Sequence, residues 1–226
     1  FRNNLLFMIG ERQQKVILVT STVPREGKTF VAANLAVSLS HLDKRVLIIG
    51  GDLRNPKLNY SFGLAKSSKG FSSLLAGLDD NYRSLFVEFS PNLTILPAGS
   101  IPPNPNELLT KPRLSELIEF FKRDFDYIVI DSAPLGLVTD SILMSKYADA
   151  VVYVMRDNFT EKDSITFVNN LIADSRIKNV GVVLNCAGAG LAMGKYNYAY
   201  KYSYRYTYAY RYKYGYGYSY GEDKQQ

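Results

Sequence analysis

The sequence has one cysteine (Cys186), one histidine (His41) and no tryptophan. A single thiol forms no disulfide within the chain and builds no cysteine-rich metal centre, a usage that suits a reducing cytoplasm. A single imidazole argues against histidine-based zinc sites and histidine-dependent triads. No apolar run approaches the ~18 residues that span a bilayer, and no secretory leader is visible. The chain opens on Phe1 and not on Met, so a longer protein is expected, with room for a membrane segment ahead of it. His41 falls near the C-terminus of an expected helix, where it suits the dipole. Cys186 follows the last expected strand, a packing position.

One residue type is in excess. Of 18 tyrosines, thirteen lie between Tyr196 and Tyr220, one at every second position. The net charge of +6 is also concentrated there: from Lys195 onward, six Lys/Arg face only Glu222 and Asp223, leaving about +4 on the tail and +2 on the body. The high isoelectric point therefore belongs to the tail. At 226 residues the chain suffices for one domain with a sizeable core and is short for two.

Short apolar, β-branched runs mark strands at residues 15–20, 45–49, 93–96, 127–130, 150–155 and 180–184. Between them, apolar residues recur at helical spacing: Val31, Leu35, Leu39 and Leu42 over 29–42, then Leu114, Leu117, Ile118 and Phe121 over 113–121, with another helix over 163–173. Residues 101–106, rich in proline, read as a loop, either a surface connection or a partner site. Alternating strands and helices predict an α/β fold with a mostly parallel sheet and helices on both faces. Ligands of such sheets sit beyond the strands' carboxyl ends, here residues 20–29, 50–54, 131–134 and 185–188.

The first of those ends carries Thr22-Val-Pro-Arg-Glu-Gly-Lys-Thr29. It matches the phosphate-binding loop G-x-x-x-x-G-K-[ST] except that Thr22 replaces the first glycine. In such a loop, backbone N–H groups and the helix N-terminus point at an anion, Lys28 reaches the outer phosphates and the Thr29 hydroxyl ligates Mg²⁺. Placed between a buried strand and an amphipathic helix, the match predicts a P-loop domain that binds ATP with Mg²⁺. Two carboxylates stand just past other strand ends: Asp131, in the Walker B position, and Asp52. Either alone fits a turn or helix-cap aspartate; together at one sheet edge they fit the metal side of a phosphate site. Asn185 ends the last strand and fits two roles equally, a reader of the adenine edge or a turn residue.

The tail, residues 195–226, has no Ile, Val, Leu or Phe, so it builds no core and is expected to be disordered when free, after a P-loop domain spanning 1–194. Its alternation fits an aggregation-prone strand, a single-strand nucleic-acid binder or a multi-site phosphoacceptor. The neighbouring ATP site favours the third. Each phosphate adds about −1.5 to −2 charge, so even three would bring the tail to zero or below.

Together these residues resemble the bacterial tyrosine kinases of capsule and exopolysaccharide export. Thr20–Thr29 is similar to the family's Walker A, Ile128–Pro134 to its Walker B, and the tyrosine cluster to its C-terminus. The resemblance implies a protein-tyrosine kinase using ATP and Mg²⁺, with Lys28, Asp52, Asp131 and Arg54 as catalytic residues. It implies nucleotide contacts from Thr22, Pro24, Glu26, Gly27, Lys28, Thr29, Phe30 and Asn185, and metal contacts from Thr29, Asp52 and Asp131. The phosphoacceptors would be Tyr196, Tyr198, Tyr200, Tyr202, Tyr204, Tyr206, Tyr208, Tyr210, Tyr212, Tyr214, Tyr216, Tyr218 and Tyr220, delivered in trans within a ring of copies. A Glu-x-x-Arg-x-x-Arg helix helps hold that ring in the family, and Arg2 stands in place of its last Arg. Expected partners are a membrane activator, in the same chain or separate, and a tyrosine phosphatase, at the cytoplasmic face of the inner membrane; nucleic acid is not expected. One departure stands out: the family's A′ motif, three apolar residues then Asp-x-Asp-x-Arg, has Gly50 for its first Asp. Reduced or rerouted catalysis is expected, with Asp52 on the acceptor side and Gly50→Asp as the test. Two rivals share the fold: an ATP-binding pseudokinase, and a partitioning-type ATPase, whose signature lysine is replaced here by Val23.

Overall fold

A computed structural model describes residues 1–10 and 15–188. Up to Asn185 they form one compact unit; a second begins at Cys186, of which residues 186–188 are described. The tyrosine cluster, its expected disorder and the expected boundary at residue 195 lie outside the described residues.

The elements run α1 (Arg2–Ile9), β1 (Lys15–Ser21), α2 (Lys28–Ser40), β2 (Val46–Gly50), α3 (Leu58–Ser61), α4 (Phe71–Leu75), β3 (Val87–Ser90), β4 (Leu93–Leu96), α5 (Pro105–Thr110), α6 (Pro112–Asp124), β5 (Tyr127–Asp131), α7 (Asp140–Ser145), β6 (Ala150–Arg156), α8 (Asp163–Ala173) and β7 (Val180–Asn185). A seven-stranded sheet has the order β3-β4-β2-β5-β1-β6-β7. All its pairings are parallel except β3 with β4.

Alternation along each strand divides the core between the two faces. Val16, Leu18, Leu47, Ile49, Ile128 and Ile130 point toward α4 and α6, whose Phe71, Leu114, Ile118 and Phe121 are fully buried there. Ile17, Val19, Ile48, Val129 and Val152 point the other way and pack on Leu35, Ala36 and Leu39 of α2 and on Leu5 and Ile9 of α1. The small residues Ala32 and Ala36 have no exposure, so α2 lies close against the sheet. Helices on both faces and a mostly parallel sheet are what the sequence predicts.

Three details differ. The α2 helix stops at Ser40, so Leu42, expected on its apolar stripe, lies beyond the end and is 36% exposed. The stretch 101–106 is not all loop, because Pro105 opens α5 at a first-turn position, where the N–H it lacks has no helical partner anyway. The edge strand β3 was not expected: Val-Glu-Phe-Ser is half exposed, with a register shift at Glu88/Ser90, and its four residues are too few for their alternation to stand out and form no apolar run.

Register sets the site. The ends of β2 and β5 are level, with Gly50 beside Asp131, and β1 runs on past Val19, the partner of Asp131, to Ser21. The P-loop therefore leaves β1 beside the Asp131 end of β5, with the Asp52 turn of β2 one strand further on.

Candidate active site

The P-loop runs from Thr22 to Gly27 and opens α2 with Gly27 at φ 98. No side chain caps that end and no acidic residue lies in its first turn. The amides there are left for an anion, which the helix dipole also favours. A Cβ at residue 27 would collide with the Asn185 amide, whose Nδ2 donates to the Glu26 carbonyl at 2.9 Å. Asn185 thus lies over the loop backbone with its amide nitrogen engaged. Glu26 is fully buried; one carboxylate oxygen accepts from Val23 N at 2.8 Å and the other is hydrogen-bonded to the Thr160 hydroxyl. Thr22, in the position of the missing glycine, is buried against Tyr153 with the two hydroxyls hydrogen-bonded, and Tyr153 also donates to Ser164 O at 3.3 Å. Burial pushes the Tyr153 phenol up, so it stays a neutral donor. Arg25 has a left-handed φ of 72, and Arg156 Nη1 donates to its carbonyl at 3.2 Å. The loop is held from outside by β6, β7 and the segment before α8. Thr160, Tyr153 and Arg156 carry no sequence motif, and their role shows only in three dimensions. Pro24 and Phe30 lie on the exposed side of the loop and helix.

Lys28 Nζ lies 3.4 Å from Asp52 Oδ2, with both side chains largely buried. Asp52 Oδ1 accepts from Asn55 N at 2.9 Å and Arg54 N at 3.3 Å. Arg54 turns away from this pair: its Nε and Nη2 donate to the two oxygens of Asp140 at 2.8 and 3.0 Å. Asp140, also without a sequence signal, is fully buried at the first residue of α7.

Asp131 is different. Its carboxyl is pushed up to about 7, first by burial and then by neighbouring Asp52, against the lowering effects of Lys28 and a hydrogen bond from Thr29. Its Oδ1 is buried with no hydrogen-bond partner, a costly arrangement unless a cation or donor is meant to arrive. Among the described residues no cluster of three or more His, Cys, Asp or Glu could hold a metal alone. That suits Mg²⁺, which takes one or two protein oxygens and completes its shell with water and phosphate. Thr29 and Asp131 fit that role.

Gly50 is closely enclosed. A Cβ there would lie 2.8 Å from Ala98 N and 3.2 Å from Ala98 Cβ. The turn Pro97–Ala98–Gly99 fills the space into which a side chain at 50 would have to grow.

A family profile described as "AAA domain" matches residues 14–175. The tyrosine-protein kinase YwqD of Bacillus subtilis is 33% identical over 184 residues, 81% of this chain and 77% of that protein. The chain belongs to the bacterial tyrosine kinases. Solved structures agree: the chimerical protein CapA2B2 superposes with TM-score 0.74 and 35% identity over 81% of this kinase and 80% of that chain. The kinase domain of the Escherichia coli tyrosine kinase ETK gives TM-score 0.75 and 27% identity over 81% and 72%. Within this P-loop family the site takes a nucleotide with a divalent metal. Among the described residues of the kinase, no helix is long and apolar enough to cross a membrane.

Proposed function

We propose that this kinase transfers the terminal phosphoryl group of ATP, in the presence of Mg²⁺, to tyrosines between Tyr196 and Tyr220 on a neighbouring copy. The observation that carries this reading is the buried, unpartnered Asp131 Oδ1 beside Lys28 and Thr29. When bound, Mg²⁺ supplies charge neutralisation across the outer phosphates. The chain's own groups do the rest. Loop amides and Lys28 hold the phosphates, Thr29 and Asp131 hold the metal, and Asp52 orients the acceptor hydroxyl and takes its proton. Such transfer is mostly positioning and charge stabilisation, so one acceptor-side carboxylate suffices.

The tail's tyrosines and the relative named a tyrosine-protein kinase support the acceptor assignment. The biological setting follows the resemblance: control of capsule or exopolysaccharide polymerisation and export at the cytoplasmic face of the inner membrane, in a ring of copies. A membrane activator, in the same chain or separate, and a tyrosine phosphatase complete it. Arg2, assigned to the ring-forming helix, donates within its own chain to Ser38 O at 2.8 Å. Gly50 favours a second reading, a nucleotide-binding pseudokinase.

Mass spectrometry after incubation with ATP and Mg²⁺, beside Lys28→Met, tests the proposal. Phosphotyrosine within 196–220 in the unsubstituted kinase alone supports it. A clean tail in a protein that binds ATP supports the pseudokinase.

A further inference from the structure

We propose that Asp140 is a positioning residue for phosphoryl transfer: through the Arg54 guanidinium it fixes the turn that presents Asp52 to the phosphate site. The proposal rests on the kinase reading above. Asp140 has no exposure, yet both its oxygens are filled by one guanidinium, from Nε at 2.8 Å and Nη2 at 3.0 Å. Two charge-assisted bonds in one plane fix orientation as well as distance. The partnership is lopsided, because the Arg54 side chain is 41% exposed and could reach water, whereas Asp140 cannot. A buried charge with a single reachable partner is expensive to keep for stability alone.

What it secures lies one bond away in the backbone. The amides of Arg54 and Asn55 are the two donors on Asp52 Oδ1, so the residue whose side chain is pinned also holds the carboxylate. The other oxygen of Asp52 faces Lys28. The next residue along α7, Ser141, has its hydroxyl donated to the Ala133 carbonyl and 2.9 Å from Ser132 Oγ, in the loop that follows Asp131. Gly51 N donates to the Asp131 carbonyl at 2.8 Å. The first turn of α7 therefore ties the Asp52 turn and the Asp131 loop into one body. With Nε and Nη2 engaged, Arg54 acts as a strut, and the A′ arginine serves Asp52.

The test is Asp140→Asn in the full chain, which keeps shape and places an NH₂ against the guanidinium. Hydrogen exchange of the nucleotide-free protein should show the Arg54 and Asn55 amides exchanging about tenfold faster, with protection of β1 and β5 unchanged. Tyrosine phosphorylation should lose about tenfold in kcat while KM for ATP moves less than about twofold. Arg54→Lys should fall between, and adding it to Asp140→Asn should change kcat by less than about twofold, because both act through one contact. Faster exchange across all strands with kcat unchanged, or additive effects in the double variant, would overturn the proposal. Should Asp140→Asn fail to fold, Arg54→Lys carries the same exchange test. Absence of phosphotyrosine in the unsubstituted kinase would instead sink the kinase reading, and the exchange result would still decide the role of Asp140.

Discussion

Asp52 and Asp131 follow neighbouring strands and face the same lysine, yet they are held in opposite ways. Asp52 is paired with Lys28 and accepts two backbone amides. Asp131 is fully enclosed, has one oxygen without a partner and holds its proton up to about pH 7. The first carboxylate is satisfied by groups of the fold itself. The second is left short of positive charge, which is the condition of a group that a cation completes. The two carboxylates of one sheet edge thus differ in how far the fold alone satisfies them.

The strongest way to break this contrast is Lys28→Met, which removes the shared cation. Tyrosine phosphorylation is expected to drop by a hundredfold or more, on the order of 3 kcal/mol of lost electrostatic stabilisation, read by phosphotyrosine mass spectrometry. Asp131→Asn sharpens it. Asp131 has its folded pKa raised from the usual ~3.9 to about 7. Its favourable contribution is thus fully present below pH ~4 and is lost as pH rises through about 7. The nucleotide-free protein should be less stable at pH 8 than at pH 5, and Asp131→Asn should flatten that slope, with a ceiling on the order of 4 kcal/mol. Urea unfolding at both values checks it. The same substitution should abolish the Mg²⁺ dependence of nucleotide binding.

Gly50→Asp addresses the position beside this pair that carries no side chain. From the sequence, it tests whether a missing carboxylate limits the rate. The Ala98 backbone 2.8 Å from the new Cβ now predicts destabilisation of about 1–3 kcal/mol by overpacking, with no gain in phosphorylation. A melting curve beside an activity assay separates the two. Asn185→Ala should weaken nucleotide binding about fivefold by freeing the Glu26 carbonyl, a loss near 1 kcal/mol, measurable with a fluorescent analogue. The smallest effect is expected of Tyr153→Phe, which removes the partner of Thr22 and should cost about 1 kcal/mol of stability or less.

Much of the fold and the position of the phosphate loop were legible because they follow local rules. Residues 15–20 and 127–130 are apolar runs bounded by turns, and Gly27-Lys28-Thr29 is a motif whose residue types are set by phosphate chemistry. What stayed hidden was carried by contacts between distant segments. Nothing in Thr-Asp-Ser at 139–141 says that Asp140 will meet Arg54, because a buried ion pair leaves no periodicity. Tyr153 reads as one more apolar residue of β6, although its hydroxyl supports the loop. Gly50 reads as a lost carboxylate, and only the approach of Ala98 shows why a side chain has no room. The edge strand β3 was missed for a related reason: with one neighbour, it needs no continuous apolar sequence.

The placement of β1 at the middle of the sheet bears on how the kinase is made. Val19 pairs with Asp131 of β5 on one side and with Val152 of β6 on the other, so the phosphate loop has no walls until both strands have been synthesised. Pairings this remote in sequence form late, and a chain leaving the ribosome N-terminus first carries an unfinished loop through most of its translation. The tyrosines from Tyr196 to Tyr220 are encoded after β7. Translation thus delivers every part of the phosphate site before the first of its proposed acceptors.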